Sequence, residues 1–161
     1  LKEISKEKKK QFVVDIHGMD NSHKYDIIIG LKSFRKVYGE YQYRKLVSIL
    51  LEVFEPFKEK YNLRIGYNII FQGYINKNYY TVSHMCNTLG FKAIQIELSS
   101  IFRERLILEK LLFKDFSKVL LETYSKYMNK KIKYTKKSSV NKKKSIYKKK
   151  SKNKSKSKSK I

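Results

Sequence analysis

One short segment, FVVDIHGM at residues 12–19, constrains the fold of this chain more than any other. Its apolar and β-branched residues at positions 12, 13, 14 and 16 occur without regular polar alternation. This pattern predicts a strand buried on both faces, as in the parallel sheet of an α/β protein. Because strand side chains alternate with period two, Asp15 and His17 should point to the same face, at the carboxyl end of that strand.

The Asp15 and His17 pair admits two interpretations. A carboxylate and an imidazole are costly to bury unless they have partners or a function. The pair is therefore either a satisfied hydrogen-bonding pair or part of a metal or catalytic site. In the second case Gly18 would let the chain turn close to whatever His17 holds.

Three further apolar runs, bounded by glycine or polar residues, predict strands at residues 25–30, 64–71 and 93–98. Helical periodicity predicts a helix over about residues 39–61, which Pro56 should kink or stop. Thr81 should cap a short helix that Gly90 ends. A long closing helix is predicted over residues 107–124.

This order of elements indicates an α/β fold with a mostly parallel sheet flanked by helices. A sheet of about four strands, entered abruptly at Leu1, is interpreted as part of a larger domain. We expect residues 11–130 to form the α/β body, and residues 1–10 to be a linker or the end of a preceding helix.

The charge is concentrated at the end of the chain. Residues 131–161 hold 15 of the 38 basic residues and no acidic one, whereas residues 11–130 hold 18 basic and 12 acidic residues. The segment 131–161 offers almost nothing to bury, so we expect a disordered basic tail. Its charge should attract polyanions such as nucleic acid through counterion release, without base readout.

The cysteine and hydropathy patterns limit the class of protein. Cys86 is the only cysteine, so the chain has neither a disulfide framework nor a cysteine-based zinc cluster. No run approaches the roughly eighteen apolar residues that a membrane span requires, so none is expected. A reducing, cytoplasmic location is predicted, although a signal upstream of Leu1 is left open.

Four short blocks, DIHGM, YDIIIG, NIIFQGYI and AIQIEL, occur in this order. On these blocks the chain resembles the N-formylglutamate amidohydrolase family over residues 11–105, which correspond to the carboxyl-terminal half of that family's domain. More distantly it is similar to the zinc carboxypeptidase and aspartoacylase group, which shares the fold. The resemblance implies a zinc-dependent hydrolase acting on an N-acyl amino acid or a related peptidic amide.

The same resemblance implies roles for individual residues. His17 corresponds to a zinc ligand, and Glu97 to the general base and acid that handles the zinc-bound water. Asp15 would orient an imidazole, or else pair with a basic side chain. Residues of the NIIFQGYI block would face the substrate: Asn68, Gly73 and Tyr74. A catalytic zinc site usually takes three protein ligands, and the others are expected upstream of Leu1.

Other side chains receive simpler interpretations. His23 is interpreted as a surface histidine and His84 as a packing histidine. Arg103 and Arg105 are expected to be solvated or paired with Glu104 or Glu109, and the alternative is that they contact a substrate carboxylate. Two alternatives to the enzyme remain open. The chain could be an inactive homologue or fragment, or a basic module that binds polyanions through its tail.

Overall fold

The computed structural model describes residues 11–69 and 81–129. They form a four-stranded mixed sheet and four helices, which confirms the α/β class. In chain order the elements are β1 (Phe12–Met19), β2 (Ile27–Gly30), α1 (Lys32–Tyr61), β3 (Ile65–Tyr67), α2 (Val82–Thr88), β4 (Lys92–Ser99), α3 (Ser100–Leu108) and α4 (Lys110–Tyr127). The predicted linker 1–10, the end of the third predicted strand and the tail 131–161 lie outside the described residues.

The strands are arranged in the order β1-β4-β2-β3. β1 runs parallel to β4, and β2 runs parallel to β3, but the central pair β4 and β2 is antiparallel. The sheet is therefore mixed, with two parallel pairs that run in opposite directions. β4 has a neighbour on each side, and all but the first of its residues are buried.

The first strand has the predicted bounds but not the predicted environment. β1 is an edge strand of the described sheet, and the Ile16 side chain is 50% exposed. The prediction of a strand buried on both faces was therefore wrong. A run of apolar residues indicates that a segment is extended and partly buried, but it does not indicate how many strands lie beside that segment.

The core lies on one face of the sheet, between the strands and helices α1 and α4. β2 contributes Ile27 and Ile29, and β4 contributes Ile94, Ile96 and Leu98. The helices add buried side chains that include Leu46, Leu50, Phe54, Leu112 and Phe116. Each such side chain contributes about 1.5–3 kcal/mol through burial. Because strand side chains alternate, the intervening residues of β1 and β4 face the other side.

Helix α1 departs from its prediction at Gly39 and at Pro56. It begins at Lys32, earlier than expected, because two helical segments join across Gly39, whose φ of 78° and ψ of 175° are not helical. Pro56 lies inside the helix and does not end it, so of the two predicted outcomes, a kink or a stop, the stop was wrong. Phe54 and Phe57 are buried on either side of the proline, and their packing holds the helix through to Tyr61.

The predicted closing helix is two helices. α3 and α4 are separated at Glu109, whose φ of −101° and ψ of 89° break the helical path. The break changes which positions face the sheet. Leu108 is therefore 81% exposed, whereas Leu112 and Phe116 are buried as predicted.

Helix α2 begins as predicted and is fixed to β4 by one side chain. The Thr81 hydroxyl accepts a hydrogen bond from the His84 N–H, as an N-cap should. The Asn87 carboxamide donates to the Ala93 carbonyl at 3.0 Å and accepts from the Ala93 N–H at 2.8 Å. The pairing of β2 with β4 stops at Gln95, so Asn87 takes the place of a neighbouring strand at Ala93.

No helix within the described ranges is long and apolar enough to cross a membrane.

Candidate functional site

The register of β1 and β4 gathers polar side chains on the face opposite the core. His17 pairs with Glu97, and Asp15 pairs with Gln95. Residues that are register partners on adjacent strands carry their side chains on the same face. The structure therefore brings together three of the residues that the sequence singled out, namely Asp15, His17 and Glu97.

Asp15 orients the imidazole of His17. Its Oδ1 lies 2.7 Å from His17 Nε2, and its Oδ2 accepts a hydrogen bond of 2.9 Å from the Ser83 N–H at the start of α2. The Asp15 side chain is 9% exposed and that of His17 is 41% exposed. The carboxylate is thus fixed from two directions, while the ring that it holds remains accessible to solvent.

Glu97 is a buried carboxylate held by a neutral amide. Its residue is 4% exposed, and its Oε1 accepts a hydrogen bond of 2.6 Å from Gln95 Nε2. Across residues 11–69 and 81–129, no basic side chain forms an ion pair with Glu97. The other end of the Gln95 amide, Oε1, is buried and has no hydrogen-bond partner in that part of the chain.

Gly18 does not turn the chain after His17, contrary to the expectation. It continues β1, and the close neighbour of its backbone is the guanidinium of Arg103 on α3. A Cβ built on Gly18 would lie 2.2 Å from Arg103 Nη1. The glycine therefore makes room for an arginine at the end of the strand. Arg105, on the same helix, forms an ion pair with Glu109, with Nε and Oε1 2.8 Å apart.

Asn68, one of the three predicted substrate-binding residues, does not lie beside His17. Asn68 follows β3, and β2 and β4 lie between β3 and β1. Its Oδ1 accepts from the Leu31 N–H at 2.5 Å, and its Nδ2 donates to the Tyr43 hydroxyl at 3.0 Å. The Asn68 side chain therefore hydrogen-bonds to the backbone at the start of helix α1 and to a tyrosine within that helix. Gly73 and Tyr74 lie outside the described residues.

His84 is the packing histidine that was predicted. It is 6% exposed, and its Nδ1 lies 2.8 Å from the hydroxyl oxygen of Ser33 at the start of α1. Burial lowers the pKa of His84, and the charge of Lys36 lowers it further. Cys86 lies two residues further along α2, where burial raises the pKa of its thiol. His23, which was predicted to lie at the surface, is half-buried in the turn after β1.

Sequence reasoning missed two contributors to this site. Gln95 could have been predicted from the sequence, because it is two residues from Glu97 on a predicted strand and its side chain therefore lies on the same face of the sheet. Ser83 could not have been predicted, since it acts through its backbone N–H, which every residue except proline possesses. Only the position of α2 against β1 brings that N–H to Asp15.

The gathered side chains suit proton transfer beside an oriented imidazole. No three His, Cys, Asp or Glu side chains of the described segments are grouped closely enough to hold a metal ion. No family model, curated protein or solved structure matches this chain significantly.

Proposed function

We propose that this chain belongs to a zinc-dependent amide hydrolase of the N-formylglutamate amidohydrolase type. The proposed substrate is an N-acyl amino acid or a related peptidic amide, and the proposed compartment is the cytoplasm. The observation that carries the proposal is the register of the two parallel strands, which sets His17 beside Glu97. A ligand and a base on neighbouring strand ends are what metal-assisted hydrolysis requires.

The chemistry of His17 fits a zinc ligand. Ligating histidines commonly donate one ring N–H to a carboxylate, which orients the ring and fixes its tautomer. The Asp15 contact at 2.7 Å supplies that arrangement and leaves the second ring nitrogen for the metal. Catalytic zinc usually takes three protein ligands, so the others would come from residues outside the described ranges. When bound, zinc would supply Lewis-acid activation of the amide and of water.

The remaining roles follow from the positions of the two carboxylates. Asp15 accepts a hydrogen bond from the Nε2–H of His17 and keeps the imidazole in one orientation. Glu97 receives the proton of the attacking water and delivers it to the leaving nitrogen, as a general base and acid. The burial of Glu97 favours this role, since bulk water is kept from the carboxylate.

Three variants of the full-length protein test the proposal, with N-formylglutamate and N-acetylated amino acids as substrates. Glu97→Gln keeps the shape of the side chain and should lower kcat by about 100-fold or more, with zinc content unchanged. His17→Ala should lower the zinc content. Glu104→Gln is the matched control, because Glu104 is exposed on α3 and should leave both quantities unchanged.

Two results would contradict this function. One is a Glu97→Gln variant that turns over substrate at the wild-type rate. The other is a His17→Ala variant that retains the full zinc content. Absence of turnover in the wild-type protein with bound zinc would instead favour the inactive homologue.

A second proposal concerns residues 131–161, which carry 15 lysines and no acidic residue. We propose that this segment makes nonspecific contacts with polyanions. Binding of a random-sequence RNA should weaken steeply with salt and should be lost when the chain is cut after residue 130. Hydrolysis should survive that truncation. Undiminished RNA binding by the truncated chain would refute the proposal.

A further inference from the structure

Gln95 is an unusual residue for the middle of a sheet. It lies on the central strand β4, is 5% exposed, and has Asp15 and Gly30 as register partners on its two neighbouring strands. A buried amide costs free energy unless its polar ends are hydrogen-bonded. Among the described residues, the amide satisfies one end only, through the 2.6 Å bond to Glu97.

The direction of that hydrogen bond follows from chemistry. A carboxylate only accepts hydrogen bonds, so the amide must turn its NH₂ group toward Glu97. The carbonyl end of Gln95 is then left without a described partner. A purely structural glutamine would be expected to satisfy both ends, because each buried unsatisfied polar group is costly. In this orientation the amide of Gln95 donates a hydrogen bond to Glu97, while its own carbonyl oxygen has no described partner.

We infer that Gln95 is a positioning residue that holds the Glu97 carboxylate in its working orientation beside His17. The inference rests on the proposed role of Glu97 as the base. Gln95 and Glu97 are two apart on one strand, so their side chains run along the same face. A glutamate has three rotatable side-chain bonds, and the bond to Gln95 limits their freedom. A displacement of about 1 Å at a catalytic group can cost 100-fold in rate.

The inference is tested by replacing the amide with an apolar side chain of similar length. Gln95→Met in the full-length protein should lower kcat by about 10-fold to 100-fold, with KM and zinc content unchanged. Gln42→Met is the matched control. It also removes a glutamine hydrogen bond, the one of 3.0 Å from the Tyr127 hydroxyl, but far from the site, so kcat should stay unchanged.

A double-mutant cycle separates positioning from a general structural effect. If Gln95 acts through Glu97, Gln95→Met should change kcat by less than about 2-fold in the Glu97→Gln background. The thermal unfolding midpoint of each variant is measured in parallel. If Gln95→Met does not fold, Gln95→Asn replaces it, because it keeps an amide that is too short to reach Glu97.

The outcomes distinguish this inference from the proposed function. An inactive Glu97→Gln together with a fully active Gln95→Met overturns the inference alone. An equal loss of kcat in both backgrounds, or a loss that follows zinc content, also overturns it. If Glu97→Gln itself remains fully active, the proposed function fails and the inference fails with it.

Discussion

Replacing Asn87 by alanine should lower the free energy of unfolding by about 3 kcal/mol. Asn87 is 1% exposed and lies at the end of α2. Its carboxamide pairs with both the N–H and the C=O of Ala93, beyond the point where β2 stops pairing with β4. Alanine would leave both backbone groups of a strand residue without these partners.

The magnitude follows from the groups that lose a partner. Ala93 is 1% exposed, so its N–H and C=O are desolvated. Leaving a buried polar group unsatisfied costs about 1–3 kcal/mol, and two groups are affected. The 3.3 Å bond from Asn87 to the Ser33 hydroxyl is lost as well. Entry of water into the space of the removed amide would offset part of the cost, which leaves about 3 kcal/mol.

Urea unfolding followed by circular dichroism measures this change on the 161-residue chain. Thr88→Ala is the matched control on the same helix. Thr88 is exposed, and its hydroxyl donates to the Met85 carbonyl of the same helix at 2.8 Å, so its loss should cost less than about 0.5 kcal/mol. If Asn87→Ala destabilises the chain no more than Thr88→Ala, the side chain does not stand in for a strand at Ala93.

Gly66→Ala should destabilise the protein by about 1 kcal/mol in the same assay, because the new methyl would lie 3.1 Å from the ring of Tyr25. Ile69 Cδ1, at 2.8 Å, is the end of a side chain that is 44% exposed and can move aside. A wild-type unfolding midpoint would contradict that crowding. Hydrogen bonds, first of all the 2.6 Å bond from Lys60, hold the pKa of Asp115 well below its usual range. The stability that Asp115 contributes is present above pH about 4 and lost as the pH falls further, so the stability difference from Asp115→Asn should shrink below pH 4 in urea titrations. A stability difference between the wild type and Asp115→Asn that does not change with pH would contradict this role of Asp115.

The sequence predicted the polar cluster better than the surroundings of the cluster. Period two placed Asp15 and His17 on one face, and both β1 and β4 were predicted strands, so Glu97 could be expected at a similar strand end. That β1 and β4 are neighbours could not be read from the residues alone. The residue patterns of β1 and β4 each predict a strand, but the pairing of the two strands depends on which surfaces the whole chain buries together.

The failures of sequence reasoning have a common physical origin. The antiparallel pairing of β2 with β4 joins two strands that are distant in the sequence, and no local pattern records it. The break at Glu109 has neither glycine nor proline to mark it. Pro56 suggested a break that packing on both sides prevents. In each case tertiary contacts decided between local conformations of similar free energy.

The pairing of β1 with β4 also determines the order in which the protein can assemble. His17 and Glu97 are about 80 residues apart, so their strands meet only after a long loop closes, which is slow compared with the formation of a local helix such as α1. During synthesis at about 5–20 residues per second, β1 would wait roughly 4–16 s for β4 to follow. An apolar strand without its partner for that time is prone to wrong pairing. β1 is therefore exposed to wrong pairing from the time it is made until β4 follows it.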